Sequence, residues 1–354
     1  MTDARANRPM PSRRQVAAGV TLGTVAAAIS STAAAQGTGN AQPQTAEAPE
    51  VRPNLAAGPP PALTNPVAEF PKPPFPPQKQ PAPGLQSRMI PRPDCGEMTY
   101  QGSGKLLGRK ALVTGGDSGL GRAAAIAFAR EGADVAINYL PVEEPDAREV
   151  VDLIQRAGRK AVALPGDIRD ENFCNQLVAN AVQQLGGLDI LVSNAGHQQS
   201  QTSIADVSTE QFDTTFKTNV YAMFWIAKAA LPHMPPGAAI VNTASVQAYN
   251  PSENLLDYAA TKAAIVAFTK VLAKQAAKQG VRVNAVAPGP FWTPLQISGG
   301  QPESALKSFG AQTPFGRPGQ PAELAPVYVM LAAQQNSYAT GQVYGATGGS
   351  GFPF

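Results

Sequence analysis

Cysteine and histidine are scarce in this chain, two of each in 354 residues. Cys95 and Cys174 cannot build a disulfide framework. One falls in a proline-rich stretch and the other in an expected helix, so they read as two free thiols or, at most, one bridge. His197 and His233 are too few for a histidine-based zinc site. Long hydrophobic runs are absent as well. The best candidate, Val16 to Ile29, is weakly apolar and too short to span a bilayer stably. Excess charge is also lacking. The net charge of +3 resides in residues 1–35, where Arg5, Arg8, Arg13 and Arg14 face Asp3, and the rest of the chain is neutral. A basic body would suggest nucleic acid or anionic lipid as partner; this body is neutral, so the overall charge gives no such pointer and no nucleic-acid partner is expected.

What is present begins with a leader. Arg13-Arg14, the short apolar run and the small residues Ala33-Ala34-Ala35 read as an export signal over residues 1–35. The paired arginines resemble the bacterial twin-arginine signal, with Val16 and Ala17 where Phe and Leu are usual. The expected location is periplasmic; if the segment is only a basic tail, it is cytoplasmic. Residues 36–105 form an arm. Sixteen of the 34 prolines lie between residues 36 and 93, including Pro59-Pro60-Pro61. Proline removes amide donors and fixes φ, so helix and sheet are excluded there. Leader and arm are expected to be disordered or extended, the arm serving as a semi-rigid spacer or a surface wrap.

From Lys110 the pattern changes. Short apolar strands are expected at 110–114, 134–139, 160–165, 188–193, 239–244, 281–287 and 342–345. Helical periodicity fills 122–130, 146–157, 171–185, 209–233, 255–278 and 322–332. Strands separated by helices of this length imply parallel βαβ units. The fold class is therefore α/β, a doubly wound parallel sheet in a single domain over 106–354. Ligands of such sheets bind beyond the carboxyl ends of the strands.

The turn Thr114-Gly115-Gly116-Asp117-Ser118-Gly119-Leu120-Gly121 joins the first strand to the first helix. Its glycines let backbone amides approach a pyrophosphate, and the helix N-terminus favours the anion. Its spacing differs from G-x-G-x-x-G. Further along stand Asp167-Ile168, Asn194-Ala195-Gly196, Asn219, Ser245, Tyr258-Ala259-Ala260-Thr261-Lys262, and Pro288-Gly289 with Thr293. In this order and at these spacings the set resembles the short-chain dehydrogenase/reductase family. Gly115-Gly116-Asp117-Ser118-Gly119, Asn138-Tyr139-Leu140-Pro141 and the lead-in from Tyr100 to Lys105 resemble a bacterial, stress-associated subgroup with a long N-terminal arm.

The resemblance implies a Rossmann-like fold and a nicotinamide cofactor. It also implies hydride exchange with a small alcohol or carbonyl substrate. Asn219, Ser245, Tyr258 and Lys262 become the catalytic set. Tyr258 and Lys262, four apart, share one helix face. The ammonium and the positive nicotinamide are expected to lower the phenol's pKa so that Tyr258 serves as general acid and base. Ser245 would stabilise developing alkoxide charge, and Asn219 would hold a relay water. Gly115, Asp117, Ser118, Gly119, Leu120, Gly121, Asn138, Tyr139, Asp167, Ile168, Asn194, Ala195, Gly196, Pro288, Gly289 and Thr293 would bind the cofactor, together with Tyr258 and Lys262. Asp117 and Ser118 also suit a plain turn, and Asp167 a helix cap. Glu143, Glu144 and Asp146 follow the second strand and would repel a 2′-phosphate, which favours NAD over NADP. Gln247 and Tyr249 are candidate polar contacts to substrate. Phe291, Trp292 and Leu295 are candidate apolar walls, though Phe291 and Trp292 also suit ordinary packing. His197 is either a substrate contact or a loop histidine. A homo-oligomer, dimer or tetramer, is expected through the long helices. The alternative function is a binding or scaffold protein that keeps the cofactor without turnover.

Overall fold

The computed structural model describes residues 63–350. The export segment and the first part of the arm lie outside the described residues. Strands and helices alternate: β1 (Lys110–Thr114), α1 (Gly119–Arg130), β2 (Asp134–Tyr139), α2 (Glu144–Arg156), β3 (Ala161–Pro165), α3 (Glu171–Leu185) and β4 (Ile190–Ser193). Then follow α4 (Thr209–Phe216), α5 (Ala222–Ala230), β5 (Ala239–Thr243), α6 (Leu256–Ala276), β6 (Arg282–Pro288), α7 (Glu303–Leu306), α8 (Pro321–Ala332) and β7 (Val343–Ala346). The seven strands pair in parallel in the order β3-β2-β1-β4-β5-β6-β7.

A parallel sheet is covered on both faces, so its strands are apolar throughout and successive side chains feed opposite cores. In β1, Ala111 and Val113 join the core under α1, α2 and α8, whereas Leu112 joins the core under α3, α5 and α6. The run Ala123-Ala124-Ala125 in α1 is fully buried. Small side chains there let the helix lie close to both the sheet and α8. The sequence places α1 at Arg122; it starts three residues earlier because the glycine-rich turn already forms its first turn.

The expected single helix over 209–233 is broken. A π-helical turn, Lys217–Tyr221, separates α4 from α5. Such a turn carries one extra residue per turn and is often found at functional sites. Here it turns Asn219 inward, where Oδ1 accepts from the His197 amide at 2.7 Å and Nδ2 donates to Thr261 Oγ1 at 3.0 Å.

The arm from residue 63 onward is a wrap rather than a spacer. It belongs to the same compact unit as the sheet. Phe75, Met89 and Cys95 are buried in it. The Phe75 ring stacks on Trp292 with centroids 4.2 Å apart. The Glu131 carboxylate accepts from Tyr100 Oη at 2.7 Å and from the amides of Ser103 and Lys105 at 2.8 and 2.9 Å. Prolines bar a regular strand, but apolar side chains and the remaining amides still anchor the segment.

If the wrap is structural, Phe75→Ala opens a void beside Trp292 and lowers unfolding stability by about 3 kcal/mol. Urea unfolding measures this, and an unchanged midpoint would mean that the arm contributes nothing to the fold.

Candidate functional site

A cleft of about 440 Å³ opens along the carboxyl ends of β1, β2, β4, β5 and β6. Its centre is the gap between β1 and β4, where the strand order reverses direction, the usual ligand crevice of an open α/β sheet. The glycine-rich turn forms one wall. Gly115 and Gly119 have φ of +60° and +52°, the left-handed region that favours glycine. Gly121 answers a different need: a Cβ there would lie 2.0 Å from the Gly115 carbonyl oxygen. Gly121 therefore closes the turn from beneath and does not line the cleft, which corrects its expected contact role. Ser118 precedes α1 but makes no side-chain cap to it.

Asp117 is buried on this wall, and its Oδ2 has no hydrogen-bond partner. Burial raises its pKa, and the nearby Asp146 adds to the rise. Asn138, Tyr139, Asp167 and Ile168 line the same end. Asn138 Nδ2 donates to the carbonyls of Leu164 and Gly166 at 3.0 and 3.1 Å, locking the ends of β2 and β3 together. Asp167 is held in a bidentate pair by Arg169, which also lines the cleft. Ion pairing keeps Asp167 below its ordinary pKa against the opposing effect of burial.

The acids expected to repel a 2′-phosphate are placed differently from that expectation. The Asp146 carboxylate accepts the amides of Gln86 and Ser87, away from the cleft. Glu144 binds the Tyr139 hydroxyl and Arg148 and does not line the cleft. Only Glu143 reaches it. Burial and the neighbouring Asp117 raise its pKa well above the usual carboxylate range, which weakens its charge near neutrality. The electrostatic argument for NAD therefore loses its basis.

The middle of the cleft is set by β4. Thr114 Oγ1 accepts the amides of Asn194 and Ala195 at 3.0 and 3.1 Å, and Asn194 Nδ2 donates to the Thr114 and Gly115 carbonyls. Asn194, Ala195, Gly196 and His197 line the cleft. The His197 ring contacts Thr215 Oγ1 through Nδ1 at 3.1 Å, and burial lowers its pKa.

At the far end Ser245, Tyr258 and Lys262 converge, all three buried. Lys262 Nζ donates to the Thr243 carbonyl at 2.7 Å and sits 5.2 Å from the centre of the Tyr258 ring. Burial pushes the Lys262 ammonium down to about 7. From the protein's own groups alone the phenol is not lowered: burial pushes Tyr258 up to about 12, and a hydrogen bond with Ser245 only partly offsets it. The reason is geometric, since the ammonium is bound to a carbonyl and is itself desolvated. Asn219 does not line the cleft. Its side chain is spent on the His197 backbone and Thr261, so it clamps the β4 loop to α6.

Pro288, Gly289, Phe291, Thr293 and Leu295 line the remaining side. Trp292 does not. It is fully buried against Phe75 and Phe309, and its Nε1 donates to the Pro91 carbonyl at 2.8 Å. Gln247 is also outside the cleft, paired with Ser252 through both amide atoms. Tyr249 likewise does not line it. Sequence reasoning missed Ala82, Pro83 and Gly84 of the arm, together with Gln198, Thr214 and Thr218. No local pattern marks them; only the fold brings them to the strand ends.

The Lys262 shift has a checkable sign. An amine whose folded-state pKa lies below its unfolded value binds fewer protons when folded, so its penalty fades as pH rises from about 7 towards 10.5. Lys262→Met removes that penalty. Its stability advantage over the native protein should shrink steadily across this window in chemical unfolding. A pH-independent difference would show that the amine is not desolvated.

Residues 115–350 match the family model described as enoyl-(acyl carrier protein) reductase. The chain is 61% identical over 290 residues to the uncharacterized oxidoreductase YhxD of Bacillus subtilis, covering 81% of this chain and 97% of that protein. It is 44% identical over 280 residues to NADPH-dependent aldehyde reductase 1, chloroplastic, of Arabidopsis thaliana, covering 77% of this chain and 97% of that protein. A short-chain dehydrogenase from Burkholderia cenocepacia, solved in complex with NADP, superposes with a TM-score of 0.64 at 33% identity, covering 69% of this chain and 98% of that one. The alternating parallel sheet, the glycine-rich cleft and these matches lead to one assignment: the chain belongs to the short-chain dehydrogenase/reductase family, as an oxidoreductase that uses a nicotinamide cofactor.

Proposed function

We propose that the protein reduces small carbonyl compounds, or oxidises the corresponding alcohols, with Tyr258 as the general acid and base. The observation that carries this reading is the convergence of buried Ser245, Tyr258 and Lys262 at one end of a cleft whose other end is the glycine-rich turn. The cleft fits a dinucleotide. A Cβ at Gly116 or Gly121 would lie 2.5 or 2.0 Å from neighbouring atoms, a helix N-terminus at the cleft favours an anion, and buried Asp117 Oδ2 is an unmatched acceptor for a ribose hydroxyl. A bound nicotinamide supplies the hydride.

The protein's own groups handle the proton. With its pKa near 12, Tyr258 keeps its proton at neutral pH, the form that donates to a carbonyl oxygen. Ser245 is placed to donate to the same oxygen as negative charge grows on it. Lys262, poised near 7, can take up or release a proton close to the phenol without leaving the site. Asn219 holds the β4 loop and α6 in register, so that Tyr258 and Lys262 meet the cleft together.

For the cofactor we favour NADP(H). Glu143 is weakly charged, Asp146 and Glu144 are engaged elsewhere, and the cleft carries Arg169 at the Asp167 end. The Burkholderia relative holds NADP, and the Arabidopsis relative is named for NADPH. Phe212 on α4, Tyr221 in the π-helical turn, Phe224 on α5 and Val271 on α6 stay exposed, which supports self-association through these elements.

In an assay of NADPH and NADH oxidation over aldehydes, ketones and sugars, Tyr258→Phe should lower turnover by about a thousandfold. Its NADPH affinity, measured by fluorescence titration, should stay unchanged. Turnover within a few-fold of the native protein would remove Tyr258 from the chemistry. Light scattering on the native protein should give a dimer or tetramer, and a monomer at all concentrations would remove the self-association proposal.

A further inference from the structure

The arm reaches further into the site than packing requires. Gln86 is fully buried. Its Oε1 accepts the Gly119 amide at 2.7 Å, and its Nε2 donates to Cys95 Sγ at 3.2 Å. The amides of Gln86 and Ser87 are both fixed by the Asp146 carboxylate, at 2.5 and 3.1 Å. Gly119 opens α1, and the first amides of a helix have no partner within it. Ser118 supplies none. A side chain from 33 residues upstream therefore does the work of a helix cap, inside the glycine-rich turn itself.

The same stretch touches the opposite wall. Ala82, Pro83 and Gly84 line the cleft. A Cβ on Gly84 would meet the Pro294 carbonyl oxygen and Ser298 Cβ, both at 3.2 Å. Upstream, the Gln80 amide donates to the Ile297 carbonyl at 3.1 Å. The Gln80 side chain in turn brackets Leu85, accepting its amide at 2.7 Å and donating to its carbonyl at 3.0 Å. Residues 80–86 thus form a rigid bridge from the segment after β6 to the first turn of α1, across one end of the cleft.

We propose that residues 82–86 are part of the dinucleotide site, and that Gln86 is a positioning residue that fixes the glycine-rich turn and slows dinucleotide release. This rests on the dinucleotide reading of the cleft. The bridge ties two walls that a departing dinucleotide must part. The Gln86 acceptor holds the Gly119 amide and so fixes the first residue of α1 at the cleft wall. Losing it orphans a buried amide and lets the turn relax.

The test uses the full chain and NADPH as probe, with NADH in parallel. Release is followed by stopped-flow displacement at a temperature where circular dichroism shows each variant folded. Gln86→Met keeps the bulk and removes the acceptor. It should release NADPH about fivefold faster, the effect expected of one neutral hydrogen bond. Gly84→Ala, which wedges the bridge from Pro294, should act in the same direction. Ile154→Ala, a buried change in α2 away from the cleft, destabilises the protein comparably and should leave the release rate unaltered. Native rates in Gln86→Met would overturn the proposal. So would equal acceleration by Ile154→Ala, which would mean general softening. If Gln86→Met does not fold, native release from Gly84→Ala overturns it in turn. A native protein that binds neither NADPH nor NADH would overturn the dinucleotide reading, a failure visible before any arm variant is compared.

Discussion

A parallel sheet covered on both faces leaves its chemistry nowhere to go except the strand ends. In this protein both layers are closed: α1, α2 and α8 on one side, α3, α5 and α6 on the other. The order β3-β2-β1-β4 means that the chain leaves β1 in one direction and returns to its other side later. The connections after β1 and β4 diverge, and a crevice opens between them. Apart from the arm residues, the cleft-lining groups come from a strand end, the loop after it, or a helix packed over that end. Gly115 follows β1, Asn194 follows β4, Ser245 follows β5 and Pro288 ends β6.

At Tyr258 and Lys262 burial outweighs pairing, whereas at Asp167 the ion pair with Arg169 outweighs burial. Lys262 and Tyr258 both shift towards their neutral forms because water is excluded, and the amine's nearest partner is a carbonyl. The same rule operates at the other end, where burial raises Asp117 and Glu143, with Asp146 adding to the first and Asp117 to the second. Reasoning from charge signs alone misses the effect of burial on the phenol and overstates the repulsion by Glu143. A neutral site is compatible with a ligand that brings its own charges, as a dinucleotide does.

The arm completes the cleft. Among its described residues it forms only a 3-10 turn at Gln86–Arg88, yet it supplies Phe75 to the Trp292 cluster, the Glu131 ligands Tyr100, Ser103 and Lys105, and the Gln86 cap on α1. Irregular backbone is well suited to this task, because it can follow a surface and present single amides to single acceptors. It also draws Trp292 away from the cleft, so that the residue packs instead of walling a substrate pocket.

The sequence by itself determined the layer pattern, most element boundaries and the order of the motifs. Strand alternation, glycine spacing and the Tyr258–Lys262 interval are local properties, set within one or two turns of chain. The π-turn at Asn219 was not legible, because it arises from bonds to His197 and Thr261 that lie far apart in sequence. Nor was the withdrawal of Gln247, Trp292, Gly121 and Asn219 from the cleft wall. Which way a side chain faces depends on what packs behind it. Only the tertiary structure decided that residues 82–84 border the cleft, since a proline-rich segment carries no periodicity to say which surface it will follow. Protonation was likewise decided there, because desolvation depends on all the atoms around a group and not on its neighbours in sequence.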